Sequence, residues 1–119
     1  MTSPSQRALV VDDSPTIRNF VTATLEAAGY EVTTAKSGFE ALKILPGASF
    51  HLVVTDVNMP DINGLELVRY VRNSPVHKGT PLIIFAPHFV GVDLAAARLA
   101  TQYRACVMYA RQSNSVADE

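Results

Sequence analysis

The sequence predicts an α/β domain built on a doubly wound parallel sheet, and three observations support that prediction. Short apolar runs alternate with amphipathic stretches from residue 7 to residue 86, as strands and helices do when they take turns along a chain. The runs at residues 8–11, 52–54 and 82–85 show no polar alternation, which is typical of strands buried on both faces of a sheet. A length of 119 residues suits one domain with one core.

Capping signals and apolar spacing predict the helices. Ser14 is expected to cap the first helix, which ends at Gly29. The second helix is expected over residues 37–45 and the third over residues 65–72. Residues 30–34 alternate apolar and polar side chains, so they are expected to form an edge strand with one wetter face.

Composition and charge limit the classes of function. Ten Lys and Arg residues against eleven Asp and Glu residues give a formal net charge of -1, which does not favour direct binding of nucleic acid or anionic lipid. No apolar run approaches the roughly 18 residues that a membrane span needs. The polar residues 1–6 lack the apolar centre of a signal peptide, and the single cysteine cannot form an internal disulfide. We therefore expect a cytoplasmic protein that does not enter a membrane.

Three aspartates are expected at one edge of the sheet. Asp12 and Asp13 directly follow the first predicted strand, and Asp56 follows the third strand after Thr55. Ligand sites of open parallel sheets lie beyond the carboxyl ends of the strands, so the carboxylates converge if these two strands are neighbours. Such an oxygen-only cluster suits Mg²⁺, which would also relieve the repulsion between the carboxylates. A single aspartate after a strand is commonly a helix cap or turn former, but three together are harder to explain in that way.

Two segments resemble the receiver domains of two-component response regulators, most closely the single-domain chemotaxis type. They are residues 9–14, LVVDDS, and residues 54–67, VTDVNMPDINGLEL. The resemblance implies the flavodoxin-like receiver fold. It identifies Asp56 as the residue that accepts a phosphoryl group from a histidine kinase or phosphotransfer protein, by nucleophilic attack of its carboxylate. It thus implies a phosphoacceptor signalling domain and not an enzyme.

The same resemblance implies a Mg²⁺ site. Asp13 and Asp56 are its carboxylate ligands, Asp12 holds the ion through water, and the main-chain carbonyl of Asn58 completes the protein ligands. The chain as a whole is expected to be a single receiver domain over residues 1–119. Within it we expect a core at residues 7–86, a divergent segment at residues 87–111 and a polar tail at residues 112–119.

Two residues of the receiver family are missing from this sequence. Alignment to the family places Ala86 where receivers have a Ser or Thr after the fourth strand. It places Tyr109 where they have a Lys after the fifth strand. Both family residues contact the phosphoryl oxygens, so we expect impaired switching.

Two structures remain open for residues 93–111, which contain neither Gly nor Pro. One is a long amphipathic helix that replaces the fourth helix and fifth strand of the family. The other is a helix followed by a buried strand at residues 105–109, and we slightly favour the long helix. In either case the usual fifth helix lacks apolar residues, so we expect a homodimer in which two copies exchange this C-terminal segment.

Two other functions are compatible with the motifs. The missing Ser or Thr and Lys leave open a phosphorylation-independent interaction module of pseudo-receiver type. Phosphohydrolases that form an aspartyl phosphate on a similar sheet need a second acid two residues after the nucleophile, and Asn58 stands there. We therefore rank the phosphohydrolase behind the other two functions.

Overall fold

The strands and helices alternate along the chain in the predicted manner. The computed structural model describes residues 6–56, 64–87 and 102–110. The strands are β1 (Gln6–Val11), β2 (Tyr30–Ala35), β3 (Leu52–Asp56), β4 (Leu82–Pro87) and β5 (Cys106–Ala110). The helices are α1 (Pro15–Ala27), α2 (Gly38–Ile44) and α3 (Gly64–Asn73), and a 3-10 turn at Leu45–Gly47 follows α2. Each strand pairs in parallel with its neighbours, in the order β2-β1-β3-β4-β5.

The sheet separates two apolar clusters, because successive side chains of a strand point to opposite faces. On the α2–α3 face, Leu9, Val11 and Val53 pack with Val68 of α3. On the α1 face, the strand residues pack with Val21 and Leu25 of α1. These α1-face strand residues are Ala8, Val10, Tyr30, Val32, Leu52, Val54, Ile83 and Phe85. The doubly wound architecture is therefore confirmed, with helices on both faces.

The caps of α1 act as the sequence predicts. The Ser14 side chain accepts a hydrogen bond from the main-chain N–H of Ile17 at 3.3 Å, which satisfies one of the free donors at the start of the helix. Pro15 occupies the first turn, where its missing N–H has no cost. Gly29 follows the helix with a φ of 99°, a conformation that favours glycine. Ser14 and Pro15 thus fix the loop that connects β1 to α1, and Gly29 ends α1 before β2.

The long helix favoured for residues 93–111 is wrong for its last part. Residues 106–110 form β5, which pairs with β4 of the same chain, with Ile83 beside Cys106 and Ala86 beside Tyr109. Gln102 and Tyr103 are helical, but Arg104 has a φ of 56°, and a left-handed residue stops a right-handed helix. Pairing also satisfies main-chain groups of β4 that would otherwise lie at a sheet edge.

This strand also contradicts the helical form expected for residues 106–110, whereas the exchange of the C-terminal segment between two copies stays a prediction. Residues 106–110 already belong to the sheet of their own chain, so they cannot serve as a helix that covers a second copy. Residues 93–101 and residue 111 lie outside the described residues.

In the described part of the chain, no helix has the length and apolar character needed to cross a bilayer.

Arg72 of α3 joins three parts of the fold through hydrogen bonds to main-chain carbonyls. Its Nε donates to Tyr103 O at 2.6 Å, and its Nη2 donates to Arg104 O at 3.1 Å. Its Nη1 donates to Thr80 O at 2.6 Å and to Lys78 O at 3.2 Å. Burial lowers the pKa of Arg72, and the nearby charge of Arg104 lowers that pKa further. Arg72 thus attaches the residues before β5 to α3 and to the loop before β4.

We expect Arg72→Ala to lower the free energy of unfolding by about 2 kcal/mol, because it leaves partly buried carbonyls without a charged donor. Urea unfolding followed by circular dichroism measures the change. Arg69→Ala is the matched control. Arg69 lies on the same helix, is exposed, and contacts Glu66 and the Tyr103 hydroxyl at the surface, so its loss should have little effect. Equal effects of the two substitutions would contradict the structural role of Arg72.

Candidate functional site

The register of β1 and β3 brings the predicted carboxylates together. Val11 of β1 lies beside Thr55 of β3, so the next residues along the two strands, Asp12 and Asp56, are neighbours at the carboxyl edge of the sheet. The ligand oxygens of Asp12, Asp13 and Asp56 all lie within 4.8 Å of one another. The predicted convergence of the three carboxylates is therefore confirmed.

The loop between β1 and α1 holds Asp12 in place. Asp12 is only 5% exposed, and its Oδ1 accepts a hydrogen bond from Ser14 N at 2.9 Å. Its main-chain N–H donates to Ala35 O at 3.1 Å, and its main-chain oxygen accepts from Arg18 Nη1 at 2.8 Å. Ser14 therefore has two functions, since it caps α1 with its side chain and orients Asp12 with its main chain.

Arg18 is a contributor that sequence reasoning missed. It lies one helical turn after Ser14 and donates its main-chain N–H to Ser14 O at 2.9 Å. The i,i+4 spacing from the cap residue places it on the same side of the helix as the site. That spacing is the signal in the sequence that could have identified it.

Electrostatics at the cluster disfavour a charged Asp12. Burial raises the pKa of Asp12, and the hydrogen bond from Ser14 opposes that rise. The charge of Asp13 raises the pKa of Asp12 further, whereas the charge of Arg18 lowers it. Asp13 is exposed and Asp56 is half-buried, so the cluster opens to solvent on one side. A hard divalent cation fits this all-oxygen donor set, because it would balance the charge that burial and repulsion penalise.

The other predicted site positions lie at the same edge or outside the described residues. Phe85 of β4 lies beside Asp56, and the next residue, Ala86, lies beside Tyr109 of β5. The two positions aligned with the family's Ser or Thr and Lys are thus neighbours at the ends of adjacent strands. Asn58, the fourth predicted ligand, falls within residues 57–63, which lie outside the described part of the chain.

The raised pKa of Asp12 predicts a pH-dependent stability in the presence of a chelator. Because this pKa lies above the ordinary value of 3.8, the folded chain binds the proton more tightly than the unfolded chain does. The contribution of Asp12 to the free energy of unfolding should therefore fall as pH rises from 3.8 through the raised pKa. The Asp12→Asn side chain is neutral at every pH, and it keeps the oxygen that accepts the hydrogen bond from the Ser14 N–H.

Urea unfolding at a series of pH values tests this expectation. At neutral pH in chelator, Asp12→Asn should be more stable than the unsubstituted chain, and the difference should disappear in acid. Glu31→Gln, an exposed change on β2, serves as the control for loss of one negative charge. A less stable Asp12→Asn variant at neutral pH would contradict the electrostatic description of the site.

The sequence of this chain matches those of known receiver domains and chemotaxis proteins. Residues 8–105 match the sequence model of the response regulator receiver domain. Chemotaxis protein CheY1 of Helicobacter pylori is 44% identical over 80 residues, which cover 66% of this chain and 64% of CheY1. The match therefore spans less than two thirds of that relative's length.

Solved structures share the fold. The chemotaxis response regulator CheY4 of Vibrio cholerae has a TM-score of 0.76 and 35% identity, over 89% of this chain and 85% of CheY4. The response regulator TrrA of Thermotoga maritima, solved in complex with Mg(2+)-BeF, has a TM-score of 0.74 and 29% identity. That match covers 95% of this chain and 94% of TrrA.

The family match, the sheet topology and the position of the acidic cluster all indicate the same family. The family match extends over most of the chain, from β1 to the residue before β5. The acidic cluster lies where β1 and β3 end. The chain therefore belongs to the response regulator receiver family of two-component signalling.

Proposed function

We propose that this receiver domain accepts a phosphoryl group on Asp56 from a histidine kinase or a phosphotransfer protein. Mg²⁺ would be held by Asp13 and Asp56 directly, by Asp12 through water, and by the main-chain carbonyl of Asn58. The observation that carries the proposal is the convergence of three carboxylates within 4.8 Å at the ends of β1 and β3. A cytoplasmic location is part of the same proposal.

Asp56 has the exposure and the chemistry of a nucleophile. Its side chain is half-buried at the end of β3, so one side faces the cluster while a donor can approach from solvent. A carboxylate oxygen attacks the phosphorus, the phosphorus–nitrogen bond of the donor's phosphohistidine breaks, and the imidazole leaves with the electron pair. When bound, Mg²⁺ supplies positive charge to the phosphoryl oxygens.

Asp12 and Asp13 have different environments, and this difference suits different tasks. Asp13 is exposed and can reach an ion directly, with little structural constraint. Asp12 is buried and is held by the N–H of Ser14, so its oxygens keep a fixed orientation. A fixed carboxylate beside a freer one would suit a cation that keeps several bound waters.

Impaired switching is a further part of the proposal. Ala86 and Tyr109 occupy the positions at which the family places a hydroxyl and an ammonium group. A methyl group cannot bind a phosphoryl oxygen, and a phenol carries no positive charge at neutral pH. Loss of one preorganised group that stabilises the transition state typically costs about 10²-fold or more in rate. Asp56 should therefore be phosphorylated more slowly than in a receiver that has both groups.

Incubation with acetyl phosphate or phosphoramidate and Mg²⁺, followed by intact mass measurement, tests the acceptor. We expect the mass of one added phosphoryl group, no adduct in Asp56→Asn, and no adduct in chelator. Asp61→Asn, which removes an acid five residues further along the sequence, is the matched control and should leave the adduct in place. An unmodified chain after long exposure would contradict the proposal and favour a phosphorylation-independent interaction module.

Restoration of the family residues tests the impaired switching separately. Ala86→Thr combined with Tyr109→Lys should raise the rate of adduct formation by about 10²-fold or more. The neighbouring register of the two positions predicts that the double substitution exceeds either single one. A rate unchanged by the double substitution, with the adduct still on Asp56, would contradict the assignment of positions 86 and 109.

A further inference from the structure

Asp13 depends on its main chain for its position in the acidic cluster. Its side chain is exposed, and within residues 6–56, 64–87 and 102–110 no hydrogen bond holds its carboxylate. Asp12, in contrast, accepts a hydrogen bond on its carboxylate from Ser14 N at 2.9 Å. The direction in which Asp13 projects is therefore set by the main chain on either side of it.

One hydrogen bond fixes the peptide group that joins Asp12 to Asp13. The carbonyl oxygen of this group is Asp12 O, which accepts from Arg18 Nη1 at 2.8 Å. A peptide group is planar, so a contact that holds its oxygen also holds its N–H and the bond that leads to the Asp13 Cα. A charged donor makes such a hydrogen bond roughly twice as strong as a neutral one. Arg18 thus constrains the point from which the Asp13 side chain projects.

Arg18 is itself anchored to the same loop. Its main-chain N–H donates to Ser14 O at 2.9 Å, where α1 begins, and Ser14 N donates to Asp12 Oδ1. Asp12, Ser14 and Arg18 therefore form a closed ring of three hydrogen bonds, with Asp13 inside the segment that the ring encloses. Arg18 is half-buried, which limits competition from water. In a closed ring each hydrogen bond restricts the movement that the other two allow, so loss of one loosens the whole segment.

We propose that Arg18 is a positioning residue of the Mg²⁺ site, which orients the Asp13 carboxylate by holding the Asp12 carbonyl. This inference rests on the function proposed above, in which Asp13 and Asp56 bind the ion directly. Arg18 acts through the main chain and not by contact with the ion, since a guanidinium has no acceptor atom to offer a cation. Loss of a contact that orients a metal ligand typically lowers metal affinity by about 10- to 100-fold.

The charge of Arg18 has the opposite effect from its hydrogen bond. The pKa of Asp12 is raised by burial and lowered in part by the charge of Arg18, so this charge reaches the cluster. A positive charge beside a cation site weakens cation binding. Removal of Arg18 therefore tightens Mg²⁺ binding if its charge dominates, and weakens Mg²⁺ binding if its hydrogen bond dominates. The sign of the change separates the two descriptions.

Titration of the 119-residue chain with Mg²⁺, followed through the amide signal of Asp56, measures the affinity. Arg18→Gln removes the charge and shortens the side chain, and it should weaken Mg²⁺ binding about 10-fold. Arg18→Lys keeps the charge and can supply the one donor that Asp12 O uses, so it should recover most of that loss. Lys43→Gln on α2, where Lys43 is exposed, is the matched control for loss of one positive charge and should bind as the unsubstituted chain does.

A second readout follows the hydrogen bond itself in the presence of a chelator. The N–H of Asp13 lies in the same peptide group as Asp12 O, so the Asp13 nitrogen signal should shift in Arg18→Gln. It should return towards its original position in Arg18→Lys. The amide signal of Ile83 in β4 should stay fixed in both variants, because the sheet itself is not altered. Circular dichroism verifies that each variant is folded.

Equal or tighter Mg²⁺ binding by Arg18→Gln would overturn the proposal. So would equal weakening by Lys43→Gln, no recovery in Arg18→Lys, or an unshifted Asp13 nitrogen signal in Arg18→Gln. These results leave the proposed function intact, provided that the unsubstituted chain binds Mg²⁺ and forms the adduct on Asp56. An unsubstituted chain in which Mg²⁺ shifts no signal of the cluster would overturn both.

Discussion

Parallel pairing of β1 with β3 determines where the chemistry of this domain lies. Parallel strands end at the same edge of a sheet, and the register of Val11 with Thr55 makes Asp12 and Asp56 neighbours. A slip of one residue would move every side chain of the strand to the opposite face, so the buried apolar residues of β1 and β3 also hold the carboxylates in position. Core packing and site geometry therefore depend on the same pairing.

The cost of this arrangement is electrostatic. Burial and the charge of Asp13 raise the pKa of Asp12, and hydrogen bonds from the Ser14 main-chain N–H and the Arg18 guanidinium hold Asp12 in this position. A cation relieves the repulsion among the carboxylates, so ion binding and the stability of the fold are linked. The N-terminus of α1 takes part in this linkage, because Ser14 both caps the helix and orients the carboxylate.

Local signals in the sequence were sufficient for four of the strands and for the helices. Ser14 and Gly29 mark the ends of α1, and the continuous apolar runs mark the buried strands. The fifth strand was not decided by local signals, because an apolar run of five residues fits a strand and a helix equally well. Pairing with β4 and the left-handed conformation of Arg104 decide it, and both depend on the tertiary structure.

The candidate site shows the same division between local and long-range information. The three aspartates were predictable because they lie at the carboxyl ends of apolar strands or just beyond them, but their orientation depends on contacts that only the fold brings together, such as Ala35 O with the N–H of Asp12. An apolar groove between α1 and the sheet likewise arises from long-range packing, since Val54 of β3 and Ile83 and Phe85 of β4 form its floor and α1 forms its wall.

Titration with Mg²⁺, followed through the main-chain amide signals, tests most directly whether the three carboxylates act as one cation site. The structure predicts that the signals of Asp13 and Asp56 shift together and saturate at millimolar ion, whereas Asp13→Asn shows weaker binding. A matched titration of Glu31→Gln should reproduce the unsubstituted chain. Unchanged signals of Asp13 and Asp56 at millimolar Mg²⁺ would contradict the account.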